Sequence, residues 1–177
     1  FIHDAPNFLP SGGIIQNNAA EDARLDQANA DALYSSANFA VQSPDISLGI
    51  LMDGDNRTVN RAGAITIVEI TSLDFKEDTL TLIGSAGQDD GFIINVLGDL
   101  DFSSSVIQLT NVRPNKVIFN FPNSSNISID KAGTKFNGTI LAPTSTVNYS
   151  KPGILNGNII ALNINVHSGF NLFHEPL

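Results

Sequence analysis

Cysteine and tryptophan are absent from the 177 residues, and there are only one methionine and two tyrosines. Without cysteine there are no disulfides, no thiolate chemistry and no cysteine-ligated zinc, although the compartment stays open because many extracellular proteins also lack it. Without tryptophan the best aromatic platform for stacking is missing; most of the eleven phenylalanines alternate inside β-rich runs and read as core. Positive charge is scarce, nine Lys and Arg against eighteen Asp and Glu, for a net charge of −9 and a pI near 4.5. Nucleic-acid affinity is built largely from Lys and Arg on phosphates, so nucleic acid is excluded as a partner, and an anionic membrane surface would repel the chain. No run approaches the roughly 18 apolar residues of a membrane span. An initiating Met and a charged region followed by an apolar one are missing too, so the expectation is a mature or excised piece.

What is present is a globular composition, 42% apolar and 15% charged, of a length that suits one domain over 1–177. Twenty asparagines, with many Gly, Ser and Thr, point to a chain of many corners and few helices. Residues 1–16, "FIHDAPNFLPSGGIIQ", carry two prolines and a Gly pair and read as an irregular arm. From 17 to 40, Ala19, Ala23, Leu25, Ala28, Ala32, Leu33 and Phe39 recur every three to four residues without Gly or Pro, which predicts one helix with a stripe of mostly small residues. After Ser43-Pro44 the pattern turns to β. "AITIVEI" (64–70), "DTLTLIG" (78–84), "FIINVLG" (92–98), "VIQLTNV" (106–112), "KVIFNF" (116–121) and "NISI" (126–129) are short runs between breakers.

A phrase repeats near the end. Phe136-Asn137-Gly138-Thr139-Ile140-Leu141-Ala142 returns, at an offset of 19, as Leu155-Asn156-Gly157-Asn158-Ile159-Ile160-Ala161. Asn-Gly is the strongest hairpin signal, but too few residues precede either pair to form an incoming arm, so a corner turn fits better. Stacked windings of backbone about 4.8 Å apart would account for the repeat. The same offset places Ile140 over Ile159 and Val147 over Val166. Going back, Pro122 falls on Pro143 at an offset of 21 and Ile127 on Val147 at 20, and upstream of Val117 no clean period is found. The fold expected is mainly β: an irregular parallel β-solenoid (β-helix) over 45–177 with one long N-terminal helix packed alongside.

Asn120-Phe121-Pro122, Gly138 to Pro143, Asn156 to Ala161 and Phe173-His174 to Pro176 follow in an order that resembles the bacterial choice-of-anchor A domain, itself similar to adhesive β-helix domains of surface proteins. "GFIINVLGDLDF" (91–102) and the Ala-rich helix also have counterparts there. The resemblance implies an extracellular surface domain with a β-helix and a helix beside it, and attaches no catalytic residue to these motifs. A second likeness is to ice-binding β-helices with a flanking helix, which need a flat face carrying ordered Thr or similar rows. Thr79, Thr81, Thr144 and Thr146 are the candidates, but the repeat offset lays Thr144 and Thr146 on Asn163 and Asn165, so no Thr row is expected.

Catalytic signals are missing. There is no G-x-S-x-G, no H-E-x-x-H and no phosphate loop, and His3, His167 and His174 are scattered. His174 is expected to fix the tail of the last coil. Of the paired acids, "DGDN" makes Asp53, Asp55 and Asn56 a calcium candidate, since oxygen ligands on a Gly turn suit a hard cation, against the plainer reading of a polar turn. Otherwise no cofactor is expected. Asn56, Asn123, Asn126 and Asn148 are glycosylation candidates, with Asn137 set aside as packed into a corner. The leading expectation is a non-catalytic adhesion or structural module, secreted or at the cell surface, presenting polar solenoid faces to an unknown protein or glycan ligand. The alternatives are a self-assembling filament or layer subunit joined through the N-terminal arm or the solenoid ends, an ice-binding protein, and a polysaccharide-active enzyme using acids such as Asp53, Asp89 or Asp99.

Overall fold

A computed structural model describes residues 19–123, 126–167 and 169–174; the arm expected over 1–16 lies outside them, as do His3 and Glu175. Helix α1 (Ala19–Ala40) is followed by fourteen strands. They are β1 (Ile46–Leu51), β2 (Arg57–Asn60), β3 (Ile65–Lys76), β4 (Thr79–Ile83), β5 (Gly91–Val96), β6 (Leu100–Ser103) and β7 (Val106–Thr110). Then come β8 (Val117–Asn120), β9 (Asn126–Ile129), β10 (Lys135–Asn137), β11 (Thr139–Tyr149), β12 (Ile154–Asn156), β13 (Ile159–Val166) and β14 (Asn171–Phe173). Among the described residues every strand pairing is parallel, and the strands wind through about five turns as a β-solenoid with three faces.

The first face holds β5, β8 and the leading halves of β3, β11 and β13; the second holds β6, β9 and the trailing halves of the same long strands. The third is a separate six-stranded sheet, β2-β4-β7-β10-β12-β14. Side chains alternate in and out along each strand. Inward ones therefore stack coil upon coil, as in Leu73–Leu100–Ile127–Val147 on the second face and Leu80–Ile107–Phe136–Leu155 on the third. Phe102, Phe119 and Phe136 arrive from the three different faces and meet edge-on at the axis, with ring centres 5.6 and 4.7 Å apart. Such contacts favour one packing of the core over its alternatives.

The irregularity has a simple form. On the third face Arg57 pairs with Leu80 and Thr79 with Val106, at offsets of 23 and 27, and Val106 pairs with Lys135 at 29. Lys135 then pairs with Ile154 at an offset of 19, and Ile154 with Asn171 at 17. No fixed period exists upstream of Val117 because the corners there vary in length while the strands keep their stacking. Ile140 does sit over Ile159, but Val147 lies over Ile164 and Val166 over Tyr149, which corrects the expected pairing. Pro143, Thr144 and Ser145 together turn the corner of β11, where Leu162 alone turns it in β13. Proline has no N–H to offer a ladder, and the coil is longer there by the difference.

The Asn-Gly pairs are corners, as expected. Gly157 has φ +148°, and a Cβ there would stand 2.1 Å from the Gly138 carbonyl oxygen of the coil before. Only glycine lets two corners stack at that separation.

Helix α1 runs down the first face, against the direction of winding. Phe39 meets β5, Ser36 meets β8, Ala32 meets β11, and Ala28 comes level with Ile160 in β13. One helical turn of about 5.4 Å thus covers one coil of about 4.8 Å. The joint is polar. Ser36 Oγ donates to Asn120 Oδ1 at 2.6 Å, and Asn120 Nδ2 donates to the Ser36 carbonyl and to Asn95 Oδ1 at 3.0 and 2.8 Å. Asn95 Nδ2 in turn donates to the Phe39 carbonyl at 2.8 Å. The predicted small-residue stripe is real only in part: Ala32 is buried and Phe39 half-buried, while Ala23, Leu25, Ala28 and Leu33 are exposed.

Candidate functional site

With the helix on the first face, the other two faces are covered by no element among the described residues. The second carries outward rows Asp74–Asp101–Ser128–Asn148–Asn165 and Asn126–Thr146–Asn163, with Lys76 paired to Asp74 at 3.1 Å. That contact raises the Lys76 pKa, the hydrogen bond to Asp74 contributing most. This face changes character along its length, from charged in the early coils to asparagine in the late ones, and the register shift of β11 lies at the corner that leads into it.

The third face is different. Its pairings, from β2 to β14, run without a register shift. In β4 the burial alternates cleanly, Leu80 and Leu82 inside with Thr79, Thr81 and Ile83 outside. Carried across the sheet, the outward positions make three rows. One is Thr58–Thr81–Gln108 and then Asn137–Asn156–Phe173; another is Thr79–Val106–Lys135–Ile154–Asn171; the shortest is Asn60–Ile83–Thr110. Neighbours within a row stand about 4.8 Å apart and rows about 6.6 Å apart, as strand geometry dictates. Among the described residues these rows hold no carboxylate and no imidazole. Their amides are tied down: Asn156 Nδ2 donates to Asn137 Oδ1, and Asn137 Nδ2 to the Ile107 carbonyl, both at 2.6 Å. The result is a face made mostly of methyl, hydroxyl and amide groups, with one charge at Lys135 and one ring at Phe173, held from below by a packed core.

The sequence-predicted site residues lie elsewhere. Asp53 is exposed on the turn between β1 and β2. Asp55 accepts the Met52 N–H at 3.0 Å and lies 3.5 Å from Arg57, and Asn56 Oδ1 accepts the Thr79 N–H at 2.8 Å. These oxygens close the turn and reach to the next coil, and no group of three or more His, Asp or Glu suited to a metal is found among the described residues. Asn123 is exposed at a corner, and Asn126 is exposed on β9. Asn148 accepts from Asn165 Nδ2 at 2.8 Å on the second face. Asn137, in its ladder, is half-buried. The acids Asp53, Asp89 and Asp99 occupy three different corners of the triangular section, between β1 and β2, β4 and β5, and β5 and β6, so they do not converge. His174 Nδ1 lies 2.5 Å from Asn158 Oδ1, joining the last coil's tail to the corner before it.

Two carboxylates that composition hides among the paired acids are structural. Asp78 is buried and accepts from the Gly54 and Lys76 N–H groups; Asp90 is buried against Arg61 at 2.9 Å and accepts the Ser85 N–H at 2.6 Å. Their neighbours are not alike: Asp89 is exposed, and Lys116, then Arg113, hold its carboxyl below the usual range.

A profile of the family described as "Putative Ice-binding-like adhesive domain" matches residues 4–172. The chain belongs to the ice-binding-like adhesive domain family. No curated protein matches it. Among solved structures, the crystal structure of the ice-binding protein from an Antarctic ascomycete, Antarctomyces psychrotrophicus, is similar, with a TM-score of 0.62 at 17% identity over 83% of this chain and 69% of that one. At such identity the likeness shows the fold, a mainly β solenoid with a helix.

For this ice-binding-like domain the leading expectation, an adhesion module offering polar faces to a surface ligand, is overturned. The family match favours the ice-binding alternative instead, while the solved structure bears on the fold alone. The corner of β11 is the physical reason that the repeat argues against it. Thr146 sits on Asn163 at the second face, not on the flat sheet, whereas Thr79 and Thr81 are on that sheet with Thr58 beside Thr81. A Thr in every coil is not needed for rows of short side chains to continue. No helix among the described residues is long and apolar enough to cross a membrane.

Proposed function

We propose that this domain binds ice through the outer face of the six-stranded sheet, as a non-catalytic module working outside the cell or at its surface. The observation that carries the reading is the unbroken register of that face together with rows mainly of Thr, Val, Ile, Asn and Gln that hold no carboxylate; Lys135, the one charged residue in those rows, can carry its ammonium aside on a flexible stem. An ice surface is a periodic array of water. A charged side chain facing it would keep its own hydration shell, at a high cost to displace. Methyl groups of Thr58, Thr81, Val106 and Ile83 shed their water readily, and hydroxyls and amides beside them can share hydrogen bonds with the lattice. Because the strands rest on a close-packed interior, few rotamers are lost on contact, which lowers the entropic cost of binding. The choice-of-anchor A resemblance would place such a module in a surface protein.

The test is thermal hysteresis and ice recrystallisation at micromolar protein, comparing Thr81→Tyr on the third face with Asn148→Tyr on the second. Thr81→Tyr is expected to remove most of the activity with an unchanged circular-dichroism spectrum, and Asn148→Tyr to leave it. A wild-type protein without activity, or the reverse pattern in the two variants, would end the proposal.

A further inference from the structure

Helix α1 does not seal the first face. It lies along one outward row, Asn95–Asn120–Leu141–Ile160, and leaves the next row, Ile67–Ile93–Ile118–Thr139, at its flank. Between helix and sheet is a cavity of about 460 Å³, with Ala28, Ala32 and Ser35 on the helix side and Ile118, Leu141 and Ile160 on the sheet side. Its mouth is marked by Ala28 and Asp31, both exposed. An apolar cavity of about 150 Å³ takes a benzene-sized guest, so this one has room for a guest about three times as large.

The wall carries one group out of keeping with the rest. Thr139 follows three isoleucines in its row and is 2% exposed, and its hydroxyl has no hydrogen-bond partner among the described residues. A buried hydroxyl is costly to hold unless something bonds to it. The hydroxyl of Tyr149 is also unpartnered, but it belongs to the packed interior. That of Thr139 borders a space in which a partner can sit.

The lining also selects by charge. Among the described residues it holds no Lys, Arg or His, and its one acid is Asp31, whose Oδ1 accepts from Gln27 Nε2 at 2.7 Å. Lys116, beside a smaller cavity next along the face, is paired with Asp89 at 2.8 Å. A carboxylate or phosphate entering here would lose its water, gain no counter-ion and meet Asp31. A neutral hydroxyl can both donate and accept, and so can bond to Thr139 and to Ser35.

We propose that this cavity binds an uncharged aliphatic alcohol of medium chain length, with its chain along Leu141 and Ile160 and its hydroxyl on Thr139 Oγ1. Such a guest touches α1 and the sheet together, and so ties the helix to the solenoid. The site is on a different face from the one proposed for ice, and neither proposal depends on the other.

The test is a nuclear magnetic resonance titration of the full chain, with isotope-labelled Ile, Leu and Val methyl groups, against octanol. Saturable shifts are expected at Ile118, Leu141 and Ile160, and none at Leu80 or Ile107 beneath the third face. Octanoate at the same concentration is expected to leave all of them unmoved. Thr139→Val should weaken octanol binding about fivefold, the worth of one ordinary hydrogen bond, and Thr139→Ser should retain it. Ser35→Phe, which fills the cavity from a half-buried helix position, should abolish binding with helix content unchanged; the Thr139 pair decides the matter if that variant does not fold. Shifts that never saturate, octanoate binding as tightly as octanol, or undiminished binding by Thr139→Val would each overturn the proposal. So would contacts in the free protein showing that another part of the chain fills the cavity.

Discussion

Tyr149 occupies an inward position between Ile129 and Val166 and packs against Phe170, with ring centres 4.3 Å apart and planes tilted by 47°. Its hydroxyl is buried without a hydrogen-bond partner, and burial raises its pKa, so it stays protonated at any ordinary pH. A buried hydroxyl with no partner costs about 1–3 kcal/mol relative to one left in water. Tyr149→Phe keeps the ring and removes that penalty. Its expected effect is therefore a gain in unfolding free energy of up to about 1–3 kcal/mol, read by urea denaturation; a loss of stability would mean that the hydroxyl is satisfied in solution. The asparagines act in the opposite sense, since Asn137, Asn156, Asn148 and Asn165 spend their amides on the coil above or below. Part of the richness in Asn thus belongs to the corners and ladders of this fold, where these residues supply inter-coil hydrogen bonds.

At the scale of the element, α1 is held less by its apolar stripe than by Asn120. Removing that amide takes the acceptor from the Ser36 hydroxyl, a second donor from the Ser36 carbonyl and a donor from Asn95 in a buried setting. Asn120→Ala is expected to cost about 2–3 kcal/mol and to speed hydrogen exchange over residues 32–40 more than in the strands beneath. Equal loosening of helix and strands would show that the network serves the sheet alone. The helix was legible in the sequence because its period is strong and uninterrupted between Asn17 and Ala40. That Ser36 would be its anchor was not, because a serine at one helix position carries no sign of the distant asparagine that it meets. Most strands were legible as well, and the short runs fall within a residue or two of where they were expected, except that β3, β11 and β13 run on through a corner and that β1 and β2 matched no expected run.

At the scale of the whole molecule, the three faces have separate tasks: one carries the helix, one carries charge, and one is flat and free of carboxylates. The third face should therefore bind ice equally well from about pH 5 to pH 9, since no carboxylate or imidazole stands in its outward rows to titrate there. Recrystallisation inhibition measured across that range checks this. A sharp fall near pH 6 would move the site to a surface bearing a histidine. The net charge of −9 belongs to the other surfaces, where it serves solubility.

The echo of Phe136–Ala142 in Leu155–Ala161 was enough, by itself, to determine stacked parallel windings, because two nearly equal coils must repeat their inward residues and their glycine corners. Composition alone removed thiol chemistry and argued against nucleic acid as a partner. Which residues stand in a row was decided only in three dimensions. Thr58, Thr81 and Gln108 lie at unequal intervals along the chain, 23 and then 27, and strand pairing brings them side by side whatever the length of the corners between. Corner length is written in the sequence without any marker of where a coil closes. The flat face, like the shift that moves Val147 onto Ile164, follows from backbone hydrogen bonding between coils and not from any local pattern.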